Sequence, residues 1–185
     1  MKTELISVTA NTQVEVLQDT QYIVKPSSKP YELTFVFTKP GVSAEVICVY
    51  KGNLHLTIIT VHKVPHTSCR VSVKGVLPDK AESDFVGKII IEKPAQQTNS
   101  FLQHDVLVTG DDVRNNSQPI LEIEADDVKA SHGATTGRLN QDQVYYLMAR
   151  GFDSDAAESL LISGFFESLL AKINDRHILS KVRIL

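Results

Sequence analysis

Residues 119–138 read Pro-Ile-Leu-Glu-Ile-Glu-Ala-Asp-Asp-Val-Lys-Ala-Ser-His-Gly-Ala-Thr-Thr-Gly-Arg and lie between a series of short β-rich segments and the first helical pattern. The stretch opens with a strand candidate, Ile120 to Glu124, and then turns to small and polar residues around His132. Upstream, runs rich in β-branched and aromatic residues are separated by Gly-, Pro- and Asp-containing turns, which indicates an all-β body. The other strand candidates are Val14 to Val16, Tyr31 to Phe37, Ala44 to Tyr50, Leu54 to Val61, Arg70 to Val76, Phe85 to Glu92 and Val106 to Thr109.

The pattern alone leaves two arrangements of these strands open, a sandwich and a β-solenoid. A doubly wound α/β sheet is excluded, because its parallel strands need helical crossovers and no long helical pattern interrupts the strands. The segment 88–92, Lys-Ile-Ile-Ile-Glu, has adjacent apolar residues, as expected for strands covered on both faces or turning a corner. If Ile90 and Ile123 point into the core, replacing either of them with Ala should cost ~2–5 kcal/mol of stability.

The last quarter of the chain changes to helical spacing. Asn140 is a candidate N-cap with Gln143 in capping-box position, and Gly151 is placed to end the first helix. A second helix is predicted from Asp153 or Ser154 to about Ile173, followed by a short helical tail from His177. Its predicted apolar face consists of Ala157, Leu160, Leu161, Phe165 and Leu169. These patterns divide the chain into a β core over 1–138 and a C-terminal helical region over 139–185.

Composition excludes several classes of function. The 185 residues include 19 Lys and Arg against 22 Asp and Glu, so the basic excess of a dedicated nucleic-acid-binding domain is missing. No run approaches the ~20 apolar residues of a membrane span, and the N-terminus lacks a secretory signal, so we expect a cytoplasmic protein with reduced cysteines. No nucleophile elbow, phosphate loop or zinc-protease motif occurs, and we therefore expect a protein that is not an enzyme.

The densest group of metal-ligand residue types is formed by His55, His62, His66 and Cys69. His55 and His62 have opposite parity along one predicted strand, so they should point to opposite faces. The group is therefore interpreted as surface or turn histidines with a buried Cys69, and Cys48 is likewise expected in the core.

His132 is the other candidate ligand. Small residues surround it, so a ligand or another backbone could approach its imidazole closely. Two interpretations of His132 stay open at this point, a metal ligand and a hydrogen-bonded structural histidine at a turn.

The quoted stretch resembles the core domain shared by SufB and SufD, subunits of the SUF iron–sulfur cluster assembly system. The resemblance continues through 142–151, Asp-Gln-Val-Tyr-Tyr-Leu-Met-Ala-Arg-Gly, and shorter matches at 75–77, 85–89 and 95–99 occur in the same order. It implies a right-handed parallel β-helix followed by a helical C-terminal region. It also implies a scaffold or scaffold partner that pairs with a second SufB/SufD-like core through its late strands and docks a SufC-type ABC ATPase.

The resemblance assigns roles to particular residues. His132 matches the family's histidine and becomes the candidate interface or metal ligand, and Gly133 follows the SufD pattern. The SufB cysteine thought to accept sulfur aligns with His104, and Ala130 stands where SufD-like members usually have Cys. The candidate ATPase-docking aromatics, most of which should also pack the helices onto the β core, are Tyr145, Tyr146, Phe165 and Phe166.

These departures bear on the cofactor. With both expected thiols replaced, we expect no stably bound cofactor in the isolated chain and at most a transient iron–sulfur cluster at an interface. Full-length family members carry a longer N-terminal region than this chain, so the resemblance leads us to expect a compact SufD-like form. The alternative function is a β-helix interaction module or homodimeric regulator without cluster chemistry.

Overall fold

The computed structural model describes residues 1–7, 10–27 and 29–183, and its body is built from parallel strands. The strands are β1 (Lys2–Ser7), β2 (Thr12–Val16), β3 (Thr20–Lys25), β4 (Tyr31–Phe37), β5 (Ser43–Lys51), β6 (Leu54–His62), β7 (Ser68–Leu77), β8 (Glu82–Ile91), β9 (Asn99–Val108), β10 (Arg114–Ile123) and β11 (Lys129–Arg138). They alternate between two sheets, ordered β1-β3-β5-β7-β9-β11 and β10-β8-β6-β4-β2. All pairings are parallel, from β1–β3 to β9–β11. The chain is therefore a parallel β-helix with two strands per coil, and the sandwich alternative is wrong.

The main core lies between the two sheets. Along β6, Leu54, Leu56 and Ile58 are buried, whereas the intervening His55 and Thr57 are only half-buried. Because parallel pairing keeps residues in register from coil to coil, inward side chains stack in columns. One column runs Tyr22–Val46–Val71–Leu102, and all four side chains are buried.

A second core lies on the outer face of the odd-numbered sheet. Here Ile23, Ile47, Val49 and Val76 pack under C-terminal helices instead of facing solvent. Both faces of β5 are therefore covered, which explains its run of adjacent buried residues.

The C-terminal helices are α1 (Gln141–Met148), α2 (Ser154–Leu170) and α3 (Arg176–Val182). The predicted cap at Asn140 is confirmed, because its Oδ1 accepts from the N–H groups of Asp142 and Gln143. The predicted start of the second helix is also confirmed: α2 begins at Ser154, and Asp153 Oδ1 accepts from Ala156 N–H at 2.8 Å. Gly151 has φ +96°, which an L side chain rarely adopts, and it follows the last turn of α1. No helix in the described residues is long and apolar enough to cross a membrane.

Two polar side chains of the sheet, Lys74 and Gln21, fix α2 in place. The Lys74 ammonium donates to the Phe165 carbonyl at 2.9 Å and to Ser168 Oγ at 2.7 Å, and it lies 4.4 Å from the centre of the Phe165 ring. The Gln21 amide donates to Lys172 O at 2.9 Å, just beyond the end of α2. Partial burial lowers the pKa of Lys74.

The predicted buried face of α2 was partly wrong. Leu160 is 47% exposed, and Ile162 and Phe166 are buried in its place. Nearly every turn of α2 has apolar residues on more than one side of the helix. The spacing of apolar residues along the sequence therefore does not predict which side packs on the sheet.

The predicted core positions of two isoleucines also need correction. Ile90 lies on the outer face of β8 and is half-buried, since the inward positions of this strand are occupied by Ile89 and Ile91. Ile123 is in register with Ile91 and so belongs to the inward column, but it is 41% exposed because no described strand lies beyond β10 in its sheet.

Adjacent isoleucines on β8 provide a direct test of this register. We expect Ile89→Ala to lower the free energy of unfolding by about 2–5 kcal/mol, because it opens a cavity in the core. Ile90→Ala should cost roughly 1 kcal/mol or less, since its side chain keeps solvent contact. Urea unfolding of the two variants measures the difference, and equal losses would contradict the register.

Candidate functional site

The β-helix ends in an open coil. β11 is the last strand of one sheet and β10 the last of the other, and within the described residues no further strand pairs with either. Almost all residues of both strands are exposed or half-buried, although their neighbours β8 and β9 contribute fully buried side chains. The unpaired backbone of such an edge is a template for another chain.

Backbone bonding identifies which groups of β11 are free. Lys129 N–H donates to the Thr98 carbonyl, Leu139 N–H donates to the Val108 carbonyl, and the register with β9 is unbroken. Because hydrogen bonding alternates from residue to residue along a parallel strand, the odd-numbered residues bond β9. The residues that present N–H and C=O groups to the open side are therefore Ala130, His132, Ala134, Thr136 and Arg138.

The edge of β10 differs from that of β11. Arg114 N–H donates to the Ala81 carbonyl and Glu124 N–H to the Ile91 carbonyl, so the odd-numbered residues of β10 face the open side. Pro119 is one of these residues and has no N–H to donate. The edge of β10 is thus interrupted in its middle, while the edge of β11 has a complete set of donors.

His132 occupies the last position of an inward column. It lies on β11 in register with Leu102, which in turn stacks on Val71 and Val46. Its side chain is exposed because no further described coil covers the column. The turn interpretation of His132 is wrong, since the residue lies in the middle of a regular strand, and its position at the open coil leaves the imidazole accessible to a partner.

His104 is buried one coil below the open end. It is 1% exposed, lies in register under Ala134, and packs against the Phe85 ring at a centroid distance of 4.4 Å. Its Nε2 is hydrogen-bonded to Tyr50 Oη at 3.0 Å and its Nδ1 to Ser117 Oγ at 2.9 Å. The predicted role of His104 as an interface ligand is corrected by this burial, because both ring nitrogens are already used within the core.

The hydrogen-bond partners of His104 were not found from the sequence. Tyr50 reaches His104 across Gly75, where a Cβ would overlap the Tyr50 ring, and Tyr50 Oη is also hydrogen-bonded to Ser83 Oγ at 2.8 Å. Tyr50 and Gly75 are in register on β5 and β7. Their contact can therefore be predicted from the sequence only if the number of residues per coil is known. A chain of hydrogen bonds thus leads from the buried Tyr50 through the buried His104 to the half-buried Ser117 on the open coil.

A second buried histidine, His62, lies at the end of β6. His62 is stacked on Phe37 with 4.3 Å between ring centroids, and its Nδ1 and Nε2 are hydrogen-bonded to Thr67 Oγ1 and Ser100 Oγ. His55, on the same strand, points outward, which confirms the predicted divergence of the two side chains. Burial lowers the pKa of His62 and of His104 to about 4.

Both cysteines are core residues, as predicted. Cys48 and Cys69 are free, buried thiols, and burial raises the pKa of each to about 12. Protonated thiols in the interior are poor ligands for iron, which binds thiolate. Cys48 is in register with Val73 and, through it, with His104, so it lies inside the rod and away from the open coil.

The candidate docking aromatics separate into two groups. Tyr145 and Tyr146 on α1 are 64% and 58% exposed, and the Arg150 guanidinium donates to Tyr146 Oη at 2.6 Å. Phe165 is half-buried against Lys74, and Phe166 is 2% exposed within the second core. Phe166 is therefore corrected from docking candidate to packing residue.

Exposed apolar side chains are concentrated around α1. Of the nine large hydrophobic residues that are exposed in the described part of the chain, five lie between positions 145 and 160. This apolar helix surface is composed of Tyr145, Tyr146, Met148, Phe152 and Leu160. A concentration of this kind is typical of an interaction surface.

A family model described as "SUF system FeS cluster assembly, SufBD core domain" matches residues 31–165. The match runs from β4 into α2, and it therefore includes the open coil, the buried histidines and α1. This chain belongs to the SufBD core family. The parallel β-helix and the C-terminal helices agree with the architecture that the resemblance implied.

Curated relatives of this SufBD core carry names from the same assembly system. A protein of Mycobacterium leprae, named as an iron–sulfur cluster assembly SufBD family protein, is 35% identical over 150 residues, which cover 74% of this chain and 38% of that protein. The iron–sulfur cluster assembly protein SufD of Bacillus subtilis is 39% identical over 99 residues, 54% of this chain and 23% of its own length. SufD of Escherichia coli is 34% identical over 109 residues, covering 59% and 26%. The chain thus spans well under half the length of these relatives.

The buried histidines of this SufBD core predict a specific pH dependence. In the unfolded chain His62 and His104 take up protons near the ordinary pKa of 6.5, but in the folded protein only near pH 4. The free energy of unfolding should therefore be highest above pH 6.5 and fall as the pH drops toward 4, by up to roughly 3 kcal/mol per histidine. Urea unfolding at several pH values measures this slope.

The variant His62→Gln/His104→Gln should flatten the pH dependence between 6.5 and 4, whatever its effect on absolute stability. The matched control is His55→Gln, which replaces a histidine on the outer face of β6, the strand that also holds His62, and should leave the slope unchanged. A slope that the double variant does not reduce would contradict the assignment.

Proposed function

We propose that this chain is a non-catalytic scaffold partner in iron–sulfur cluster assembly. The observation that supports this proposal is the SufBD core match over 31–165, because the matched residues include the open terminal coil. Residues 1–138 would form the pairing core, and 139–185 would carry the docking surface for an ATPase. Free thiols at Cys48 and Cys69 agree with a reducing compartment such as the cytoplasm.

Pairing with a second SufB/SufD-like core is proposed to use the free edge of β11. Its open-side residues offer a regular set of backbone donors and acceptors, and added strands bind through such groups. The interrupted edge at Pro119 makes β10 the weaker of the two templates. The partner would then lie across β11, with His132 facing the junction.

The iron–sulfur cluster would be cargo that passes through this junction. His132 supplies an accessible imidazole, which is a suitable ligand for iron. Neither cysteine reaches the open coil, so thiolate ligands would have to come from the partner core. This division of ligands favours a heteromeric SufB-type partner over a second copy of this chain.

A second candidate function is a pairing module without cluster chemistry, including a homodimeric regulator. The observation that favours it is Ala130, which lies half-buried at the open coil where SufD-like members usually have a thiol. Both candidates use the same edge of β11, so they differ only in whether iron is retained at the junction.

Docking of a SufC-type ABC ATPase is proposed for the apolar helix surface around α1. Tyr145 and Tyr146 would be its anchors, since exposed tyrosines combine apolar area with a hydrogen-bonding group. Arg150 lies 4.9 Å from the centre of the Tyr146 ring and holds that side chain in place. Packing of Val144 and Ala157 in one small core attaches α1 to α2.

The pairing edge can be tested with one substitution. Ala134→Pro removes a free N–H from the open side of β11 and leaves the ladder to β9 intact. We expect the variant to fold normally and to lose association with a SufB-type core in analytical ultracentrifugation. The matched control is Ala134→Val, which adds similar bulk, keeps the N–H and should still associate.

The same complex distinguishes the two candidate functions. After anaerobic reconstitution with iron and sulfide, the cluster scaffold predicts that His132→Ala lowers the iron retained per complex without weakening association. A wild-type complex that retains no iron, with association still dependent on the β11 edge, would favour the module without cluster chemistry, whereas iron content that His132→Ala leaves unchanged would reject His132 as a ligand. Association that survives Ala134→Pro would refute the proposed edge.

The docking surface is tested by Tyr145→Ala/Tyr146→Ala. Both side chains are exposed, so we expect little change in unfolding temperature and about thirtyfold weaker binding of a SufC-type ATPase by calorimetry. Leu17→Ala is the control, because Leu17 is also half exposed but lies beside β2 at the far end of the even-numbered sheet. Equal binding by the double variant and the control would count against docking at α1.

A further inference from the structure

A cleft of about 600 Å³ lies between the β-helix and the C-terminal end of α3. Its walls come from the end of β3 with the segment after it, from the end of β5 with the following turn, and from residues 181–183. The cleft is separated from the open edge by β7 and β9, which lie between β5 and β11 in the sheet. It therefore lies outside the surfaces used in the proposed function.

Four cationic side chains line this cleft: Lys25, Lys51, Lys181 and Arg183. Among its described lining residues there is no aspartate or glutamate. Of the four, only Arg183 has a carboxylate of the described residues within 4.0 Å, Glu167 at 3.6 Å. The formal net charge of the whole chain is -3, so the cleft is a positively charged region on a protein that is negatively charged overall.

Two further features bear on the electrostatics of the cleft. The C-terminal end of α3 contributes a partial negative charge of roughly half an elementary charge, which four full positive charges outweigh. Asn53 also lines the cleft, and because its Oδ1 accepts from the Glu82 N–H at 2.9 Å, the other end of its amide is an N–H donor rather than an acceptor. The cleft thus offers cations and a neutral donor.

The size of the cleft indicates that its ligand carries more than one anionic group. A volume of about 600 Å³ lies within the range of small-molecule sites, and a single phosphate ion would contact only part of it. Its cations come from three separate segments of the chain, at Lys25, at Lys51 and at 181–183. A ligand that contacts all three segments must carry anionic groups along its length.

We propose that this cleft binds a polyphosphate chain of two or more phosphate groups, either inorganic or as part of a nucleotide. Lys51 from the β-helix and Lys181 from α3 would contact the chain from opposite sides. Binding would thereby connect the C-terminal helix to the β core. Lysine binds phosphate as a point charge, so the selectivity of the cleft should depend more on the spacing of the ligand's charges than on the ligand's shape.

The test is calorimetry on the full chain at fixed ionic strength with orthophosphate, pyrophosphate and tripolyphosphate. We expect affinity to increase in that order and to fall with added salt. ATP binding comparable to tripolyphosphate identifies a nucleotide as an acceptable source, and much weaker ATP binding identifies the inorganic chain. Orthophosphate binding as tightly as tripolyphosphate would overturn the proposal, as would no binding of any of the three.

The matched variants are Lys51→Gln/Lys181→Gln in the cleft and Lys63→Gln/Lys93→Gln outside it, which remove the same net charge. We expect the first to weaken tripolyphosphate binding about a hundredfold, roughly tenfold per lost contact, and the second to leave it nearly unchanged. Unfolding temperatures measured without ligand show whether the cleft variant is folded. Equal weakening by the two pairs would show a general charge effect and reject the site.

Discussion

The structure depends on the parallel backbone ladder that joins each coil to the next. Parallel pairing without a slip makes inward residues one coil apart stack directly, so the core is a set of side-chain columns. In the column from Tyr22 to Leu102 every coil covers the one before it. The same rule leaves the final coil uncovered, and His132 is exposed for this reason alone. The rod's stability and its accessible end follow from one constraint.

Polar residues enter this core only where their hydrogen bonds are met. His104 is held by Tyr50 and Ser117, and His62 by Thr67 and Ser100, so each neutral imidazole has partners for both nitrogens. Glycine at position 75 makes room for the Tyr50 ring that completes the first group. Since burial penalises the charged form of the imidazole, these groups make the fold less stable as the pH falls below neutral.

The sequence predicted those elements whose residues are distinctive in themselves. Tyr31–Phe37 is a strand at its predicted bounds, and the caps at Asn140 and Asp153 start helices where expected. β11 was missed because its small and polar residues do not resemble a buried strand; it is a strand because β9 pairs with it. That the strands form coils came from the family resemblance, because adjacent apolar residues fit a sandwich equally well. The burial of His104 depends on coil register with residues far away in the chain, which local patterns do not contain.

Pro119 has a consequence for the solution behaviour of the rod. Two copies stacked end to end as one longer solenoid would need matching donors on both sheets, and every such junction could in principle repeat into a fibre. A missing N–H in the middle of β10 penalises that continuous stacking, while β11 can still accept a single strand. Pro119 therefore disfavours end-to-end extension of the rod through β10, while the backbone donors of β11 stay in place.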